Sequence, residues 1–483
     1  MKALTSLQRL SSLTRFMLLG SVLELLYLLI FALTPLYSTH TTLSPSGMDW
    51  PWILAPAQLL VHKTSNLGVR FTDLGSNFLL LGLIFIVLSS VYLYAVRNAF
   101  HTSNNISITS RWLFLPAIGA TIFGITLLFL PALFNNEANS YIFKSLALLS
   151  HLINCVLIWA LLGNLAPTRR LGGTILYAWN PLVLIELAGN GHNEGFLICF
   201  LLMTTLLIIQ QKGWWYDFWA MVFLGFAISI NFITLLLAPI VICFSVRRKT
   251  NQDPEGQQLL DEGRGNQTLL IWGSCWRAIV ALTIVFILYL PFWHGSSTFL
   301  AITSSFDMQQ FIHSPLGVLV IPVHWLFSLL VQTLNPTTTL SSYLQPIIAA
   351  NMAVRASAMF IFALIYFYLL GKVRSIDTFL TSLCLAILGF IILISGQFWP
   401  WYVLWVLWIV ALRRFDALTV SVLLLSCTAL LTYPLLYVHN LPIAIYQPLL
   451  IFGIPLIYLI TQVKRSNERM TLLYDRRSET AKN

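Results

Sequence analysis

Asn180-Pro181-Leu182-Val183-Leu184-Ile185-Glu186-Leu187-Ala188-Gly189-Asn190-Gly191-His192-Asn193-Glu194-Gly195 is the stretch on which the reading of this chain turns. Proline at 181 removes a backbone donor and disfavours helix for the residue before it, so a helix should kink or restart there. Glu186 then falls in an apolar run, which puts it within a membrane or at its outer edge. The run ends in a Gly-Asn-Gly-His-Asn-Glu-Gly turn that combines flexible backbone with amides, an imidazole and a carboxylate. That set suits binding of sugar hydroxyls or a phosphate, and proton transfer. The alternative is a capped interhelical turn with Asn193 or Asn190 as cap, but a cap needs one such residue and this turn has several.

Outward from the turn the chain is apolar on both sides, and runs near the roughly 20 residues that a helix needs to cross a bilayer recur along it. Hydrophobic residues make up 58 % and charged residues 9 % of the 483, with mean hydropathy +0.81. A soluble chain averages about 25 % charged residues, so a soluble globular protein is excluded. The fold class is all-α, a polytopic transmembrane helical protein. Spans are predicted near residues 16–36, 77–96, 112–131, 143–163, 171–189, 194–211, 277–293, 345–371, 377–396, 399–412, 417–437 and 443–462. Residues 217–246 read as a hairpin of two short helices with its tip near Asn231, because one crossing would put Arg247, Arg248 and Lys249 on the wrong side. The total is about 12 to 14 membrane segments.

One transmembrane domain, 1–463, is expected. It has a first external loop at 37–76, a flexible cytoplasmic loop at 249–271 and an external loop at 293–344 with interfacial helices such as Leu316–Val331. A basic tail follows at 464–483. The first apolar run is too long for a signal-peptide core and reads as a retained span. Of the 27 basic residues, all but Lys63, Arg70, Lys144 and Arg355 fall on the side of the N-terminus, so both termini are read as cytoplasmic. The net charge of +10 is then an orientation signal rather than a nucleic-acid footprint, and no nucleic-acid partner is expected. The sequons at Asn105 and Asn266 lie on that same side, where no glycan is added, and give no evidence of a secretory-pathway protein. Cys155, Cys199, Cys243, Cys275, Cys384 and Cys427 show no metal or disulfide spacing and read as small core hydrophobes.

The outer face collects Asp49, Asp73, Glu137, Glu186, Glu194 and Asp307 with several histidines, and polar groups at membrane depth are costly enough to suggest function. The run NPLVLIELAGNGHNEG, followed by KGWW at 212–215, GFAISINFITLLLAPIVI at 225–242 and LPFWHG at 290–295, resembles the GT-C type membrane glycosyltransferases. It is most similar to the bacterial polyprenyl-phosphate-mannose-dependent mannosyltransferases, and Phe398-Trp399-Pro400-Trp401-Tyr402-Val403-Leu404-Trp405 is similar to that group's proline-tryptophan-tyrosine segment. The resemblance covers about 140–300 and 395–412.

The resemblance implies a GT-C-like fold in a bacterial plasma membrane. It implies transfer of a hexose, mannose by the likeness, from a polyprenyl-phosphate sugar to a glycan or lipid-linked acceptor on the extracytoplasmic face. An acceptor hydroxyl would attack the anomeric carbon, with Asp49 or Glu186 as base and no nucleotide. Asp49, in GMDWPW, is the better base of the first loop, since Trp50, Pro51 and Trp52 would hold it at headgroup level. Asp73 in FTDLGS is the other first-loop carboxylate. Asn180, Asn190, His192, Asn193 and Glu194 are the expected substrate-binding residues of the turn. Arg355 would compensate the leaving phosphate, with Asn231 and His294 as hydrogen-bond donors, and Arg355 snorkelling to the headgroups is the alternative. Where such families carry a basic residue in the hairpin, this chain has Asn231. Trp401 and Tyr402, with Trp293 and Trp399, could stack on sugar faces. No cofactor is called for, and no ligand spacing points to a metal. The rival readings are a secondary transporter, which would show paired broken helices and an internal repeat, and a non-catalytic relative that binds lipid-linked substrates.

Overall fold

A computed structural model describes residues 139–210, 213–252, 266–290, 313–334, 341–435 and 447–465. Their regular structure is helical, with no β-strand among the described residues. Among the described residues, five helices are long and apolar enough to cross a membrane: Leu146–Leu165, Ile271–Tyr289, Ala349–Lys372, Ile376–Leu393 and Gln447–Arg465. A sixth crossing results if Pro167–Ala178 and Pro181–Gly189, bent by 47° at the break, form one span. The spans expected at 16–36, 77–96 and 112–131 lie outside the described residues. Two compact units divide the chain, one formed by Met1–Asp307 with Lys372–Leu383 and the other by Met308–Gly371 with Cys384–Asn483.

In the first unit α1 spans Asn139–Leu165 and α2 Arg170–Ala178. The short helix α3, Pro181–Val183, runs into a wide π-helical turn at Leu184–Gly189. Then come α4 (Glu194–Gln210), α5 (Trp214–Ile230), α6 (Ile233–Gln252) and α7 (Asn266–Tyr289). Helix α4 is apolar on every side and is buried from Glu194 to Ile208, as expected of a helix with no polar face. Phe200 of α4 packs on Phe223 and Phe226 of α5 at ring separations of 6.0 and 5.3 Å. Glycine 225 brings α5 flush against α7, because a Cβ there would lie 2.7 Å from both the Ala281 carbonyl and the Ile284 Cβ. The chain breaks at Asn231, whose backbone is extended and whose Oδ1 accepts from the Ile233 amide at 3.1 Å. From there α6 returns antiparallel to α5, so that Ser245 bonds Asp217 near the hairpin's open end. Helices α6 and α7 extend into both ends of the stretch expected to be loop, at 249–252 and 266–271; a helix satisfies its own backbone and need not stop where the apolar run stops.

The second unit contains α8 (Pro315–Leu334), α9 (Ser341–Lys372), most of α10 (Ile376–Leu393), a 3₁₀ turn at Pro400–Val403 leading into α11 (Leu404–Leu412), α12 (Ala417–Ala429), α13 (Thr432–Leu435) and α14 (Gln447–Arg465). Leu316 packs with Val354 and Ala358. Helix α11 is wholly buried, and Thr428 and Ser421 of α12 donate to the carbonyls of Ile451 and Pro455 in α14 at 2.6 and 2.9 Å. Asp416 caps α12 by accepting from the Thr419 amide at 2.9 Å, and Arg413 pairs with it at 2.7 Å. Burial would raise the Asp416 carboxyl, but the Thr419 amide and the Arg413 guanidinium outweigh it and hold the group below its usual value.

All six cysteines are free thiols. Cys155, Cys199 and Cys384 are buried as expected, whereas Cys275 and Cys427 are exposed on helix surfaces. That departure has a simple cause: a helix face turned to lipid is as apolar as one turned to the core, so hydropathy does not separate the two.

Candidate functional site

The site is built by the break at Asn180-Pro181. Asn180 is extended (φ −65°, ψ 124°), and its Oδ1 accepts from the Leu182 amide at 3.0 Å, the geometry of an N-cap followed by proline at the first helical position. The helix it starts widens at once: the Asn190 amide donates five residues back, to the Ile185 carbonyl, at 2.8 Å. Turns of this kind are rare and are frequent at functional sites. Gly191 then takes φ 76°, the left-handed region that favours glycine, and the chain folds back so that the His192 amide donates to the Glu186 carbonyl at 3.0 Å.

The reversal gathers the charged side chains of the motif. His192 Nε2 lies 3.3 Å from Glu186 Oε2, and its Nδ1 lies 3.6 Å from Glu194 Oε2. Asn190 Nδ2 donates to the same Glu186 oxygen at 3.0 Å. All three residues are at most 1 % exposed. Placing an ion where water cannot reach costs several kcal/mol unless a partner offsets it, and the imidazole is placed to serve both carboxylates. With a carboxylate at each nitrogen, the ring can accept a proton on one side and release one on the other.

Asn193 contributes its backbone to the start of α4: its carbonyl accepts from the amides of Phe196 and Leu197 at 3.0 and 3.4 Å. Of the two residues weighed as caps of this turn, Asn190 sends its side-chain amide to the Glu186 carboxylate. Asn231 has the local capping role described above. Arg355, Trp401 and Tyr402 belong to the second unit. There Trp401 stacks on Trp399 at 5.1 Å, Tyr402 stacks on Trp405 at 4.3 Å, and the His313 ring meets Trp399 edge-on at 6.0 Å. Burial lowers the His313 imidazole from its ordinary value, and a hydrogen bond with Gln447 partly offsets this. Asp49 and His294 lie outside the described residues.

The sequence reading missed the wall that faces the motif. Helix α1 carries Ser150, His151, Asn154 and Cys155, all buried, and Tyr177 of α2 is buried with them. His151 Nε2 lies 3.7 Å from Cys155 Sγ, and the His151 and Tyr177 rings are 5.4 Å apart. Three of these residues are polar groups in an otherwise apolar span, and that was the available signal.

Residues 130–247, which contain α1 to most of α6 and the whole Glu186–His192–Glu194 cluster, match the family model described as alpha-(1->6)-mannopyranosyltransferase, N-terminal domain. No curated protein and no solved structure matches the chain. The family match supports a glycosyltransferase that acts on mannose, with a sugar donor and an acceptor, and the long apolar helices fit a membrane protein.

Proposed function

We propose that this chain transfers mannose from a polyprenyl-phosphate donor to a hydroxyl acceptor at the extracytoplasmic face of a bacterial plasma membrane. The observation that carries the reading is the buried Glu186–His192–Glu194 cluster, set at a helix break inside the segment that matches the mannosyltransferase family. The acceptor oxygen attacks the anomeric carbon, the bond from that carbon to the phosphate oxygen breaks, and the hydroxyl proton passes to a carboxylate. Glu186, backed by His192, is placed to take that proton on. Asp49 is the alternative first acceptor of it, with the cluster then acting on substrate hydroxyls. Departure of the lipid phosphate is assisted by charge compensation, for which Arg355, Asn231 and His294 are the candidates, and Trp401 and Tyr402 offer faces for a sugar ring. The distribution of basic residues supports about 12 to 14 segments, cytoplasmic termini and the outer placement of the turn.

The test is transfer from radiolabelled polyprenyl-phosphate mannose to endogenous acceptors in membranes that hold equal amounts of wild type, Glu186→Gln, His192→Ala and Asp49→Asn. Transfer by wild type that collapses in Glu186→Gln and His192→Ala is expected. Undiminished transfer by both variants overturns the assignment of the cluster. Absence of transfer by wild type from mannose, glucose and arabinose donors overturns the reading as a whole. Activity that survives Asp49→Asn leaves Glu186 as the base.

A further inference from the structure

The mechanism leaves the polar wall of α1 without a role. Asn154, fully buried, donates through Nδ2 to two acceptors, the Gly195 carbonyl at 2.8 Å and the Tyr177 hydroxyl oxygen at 3.2 Å. Gly195 is the residue after Glu194, in the first turn of α4, and its backbone sits flush on α1: a Cβ there would collide with Ser150 Oγ and would lie 3.4 Å from Leu187 Cδ2 of the wide turn. Ser150 is itself fixed by donating to the Ala147 carbonyl at 2.6 Å. A close shape contact and a hydrogen bond therefore pin the start of α4 at the point where Glu194 leaves the backbone.

We propose that Asn154 is a positioning residue for the Glu186–His192–Glu194 cluster: through the Gly195 carbonyl it holds the first turn of α4 so that Glu194 stays against His192. Tyr177 is the second anchor of the same amide and ties α2 to the arrangement. The inference rests on the reading of the cluster as the proton-handling centre, and it concerns how that centre is kept in register. The groups around it that titrate or carry charge are Glu186, Glu194, His151, Cys155 and Tyr177.

Two readouts test it. One is steady-state mannosyl transfer. The other is ¹⁵N NMR of histidine-labelled full-length protein in nanodiscs, with the His192 signals assigned by their loss in His192→Asn, which requires no turnover. Asn154→Ala should lower kcat about 10- to 100-fold with the donor KM within about twofold, because a misplaced group costs rate rather than binding. It should also shift the His192 nitrogen signals, which a merely structural role would not do. Tyr177→Phe keeps the bond to Gly195 and should have the smaller effect on both readouts. Asn154→Ser, too short to reach the Gly195 carbonyl, should reproduce the alanine result and serves if the alanine variant does not reach the membrane. Wild-type His192 signals in folded Asn154→Ala or Asn154→Ser overturn the proposal, and so does a Tyr177→Phe loss as large as that of alanine. If wild type transfers no mannose, the functional reading fails while the NMR arm still decides the role of Asn154.

Discussion

Among its described residues the first unit holds two buried charged networks that are built in opposite ways. Arg277 of α7 meets Asp217 of α5 at 2.6 Å, donates through Nε to Ser245 Oγ at 3.0 Å and through Nη1 to the Gly273 carbonyl at 2.8 Å, and Ser245 in turn donates to the other Asp217 oxygen at 3.0 Å. One cation answers one anion, and the surrounding hydroxyl and carbonyl groups complete both. At the helix break the proportions reverse: two carboxylates share one imidazole, at the looser distances of 3.3 and 3.6 Å. Matched charge with short bonds ties three helices together. Two carboxyl groups gathered around a single imidazole gain little for stability, and such arrangements concentrate at sites of chemistry. Burial alone does not distinguish the two networks, but stoichiometry and distance do.

The sharpest way to break the contrast is to neutralise one member of each network. Glu186→Gln is expected to reduce transfer by about 10² to 10⁴-fold, the usual contribution of acid–base assistance, while thermal unfolding of the detergent-solubilised protein stays near wild type. Arg277→Met should do the reverse, destabilising by about 3 to 5 kcal/mol, because it strands the Asp217 carboxylate in the interior. Replacing both partners, Arg277→Met with Asp217→Leu, should restore most of that stability, read from the same melt. If Glu186→Gln instead melts the protein and Arg277→Met spares it, the roles of the two networks are exchanged.

Smaller effects sharpen the picture. Gly195→Ala forces α4 off α1 against Ser150 and should cost about 1 to 3 kcal/mol, with transfer reduced as well, measured by melting and turnover on one preparation. Asp416→Ala removes an N-cap in the second unit and should cost about 1 kcal/mol with transfer unchanged. Since the folded Asp416 carboxyl titrates below its ordinary 3.8, its contribution is complete above that pH and disappears as pH falls through the lower folded value. The melting difference between wild type and Asp416→Ala should therefore be constant near neutrality and narrow only in strong acid.

The turn at 189–195 and the break at Asn231 were legible in the residues, because proline, glycine and clustered polar groups interrupt an apolar background by local chemistry. The wall on α1 was not read, although Ser150, His151 and Asn154 stand in plain sight, because each is separated from its neighbours by apolar residues and none forms a motif by itself. The Asp217–Arg277 pair was equally hidden. Its members are 60 residues apart, and only the packing of α5 on α7 through Gly225 decides that they meet. The same limit explains the exposed Cys275 and Cys427: in a membrane protein the pattern of apolar residues marks where a helix is, but not which of its sides faces protein.

The wide turn at Leu184–Gly189 gives the candidate site an unusual sensitivity to length. Each helical residue advances the chain by about 100°, so deleting one of Leu187, Ala188 and Gly189 would let an ordinary α-helix form, with better backbone geometry and the same apolar composition. The span would survive, but everything before the deletion would be rotated relative to everything after it, and Glu186 would no longer look toward His192. Here substitution is a milder insult than omission, and a deletion scan across 187–189 would find activity lost while the helix gained regularity.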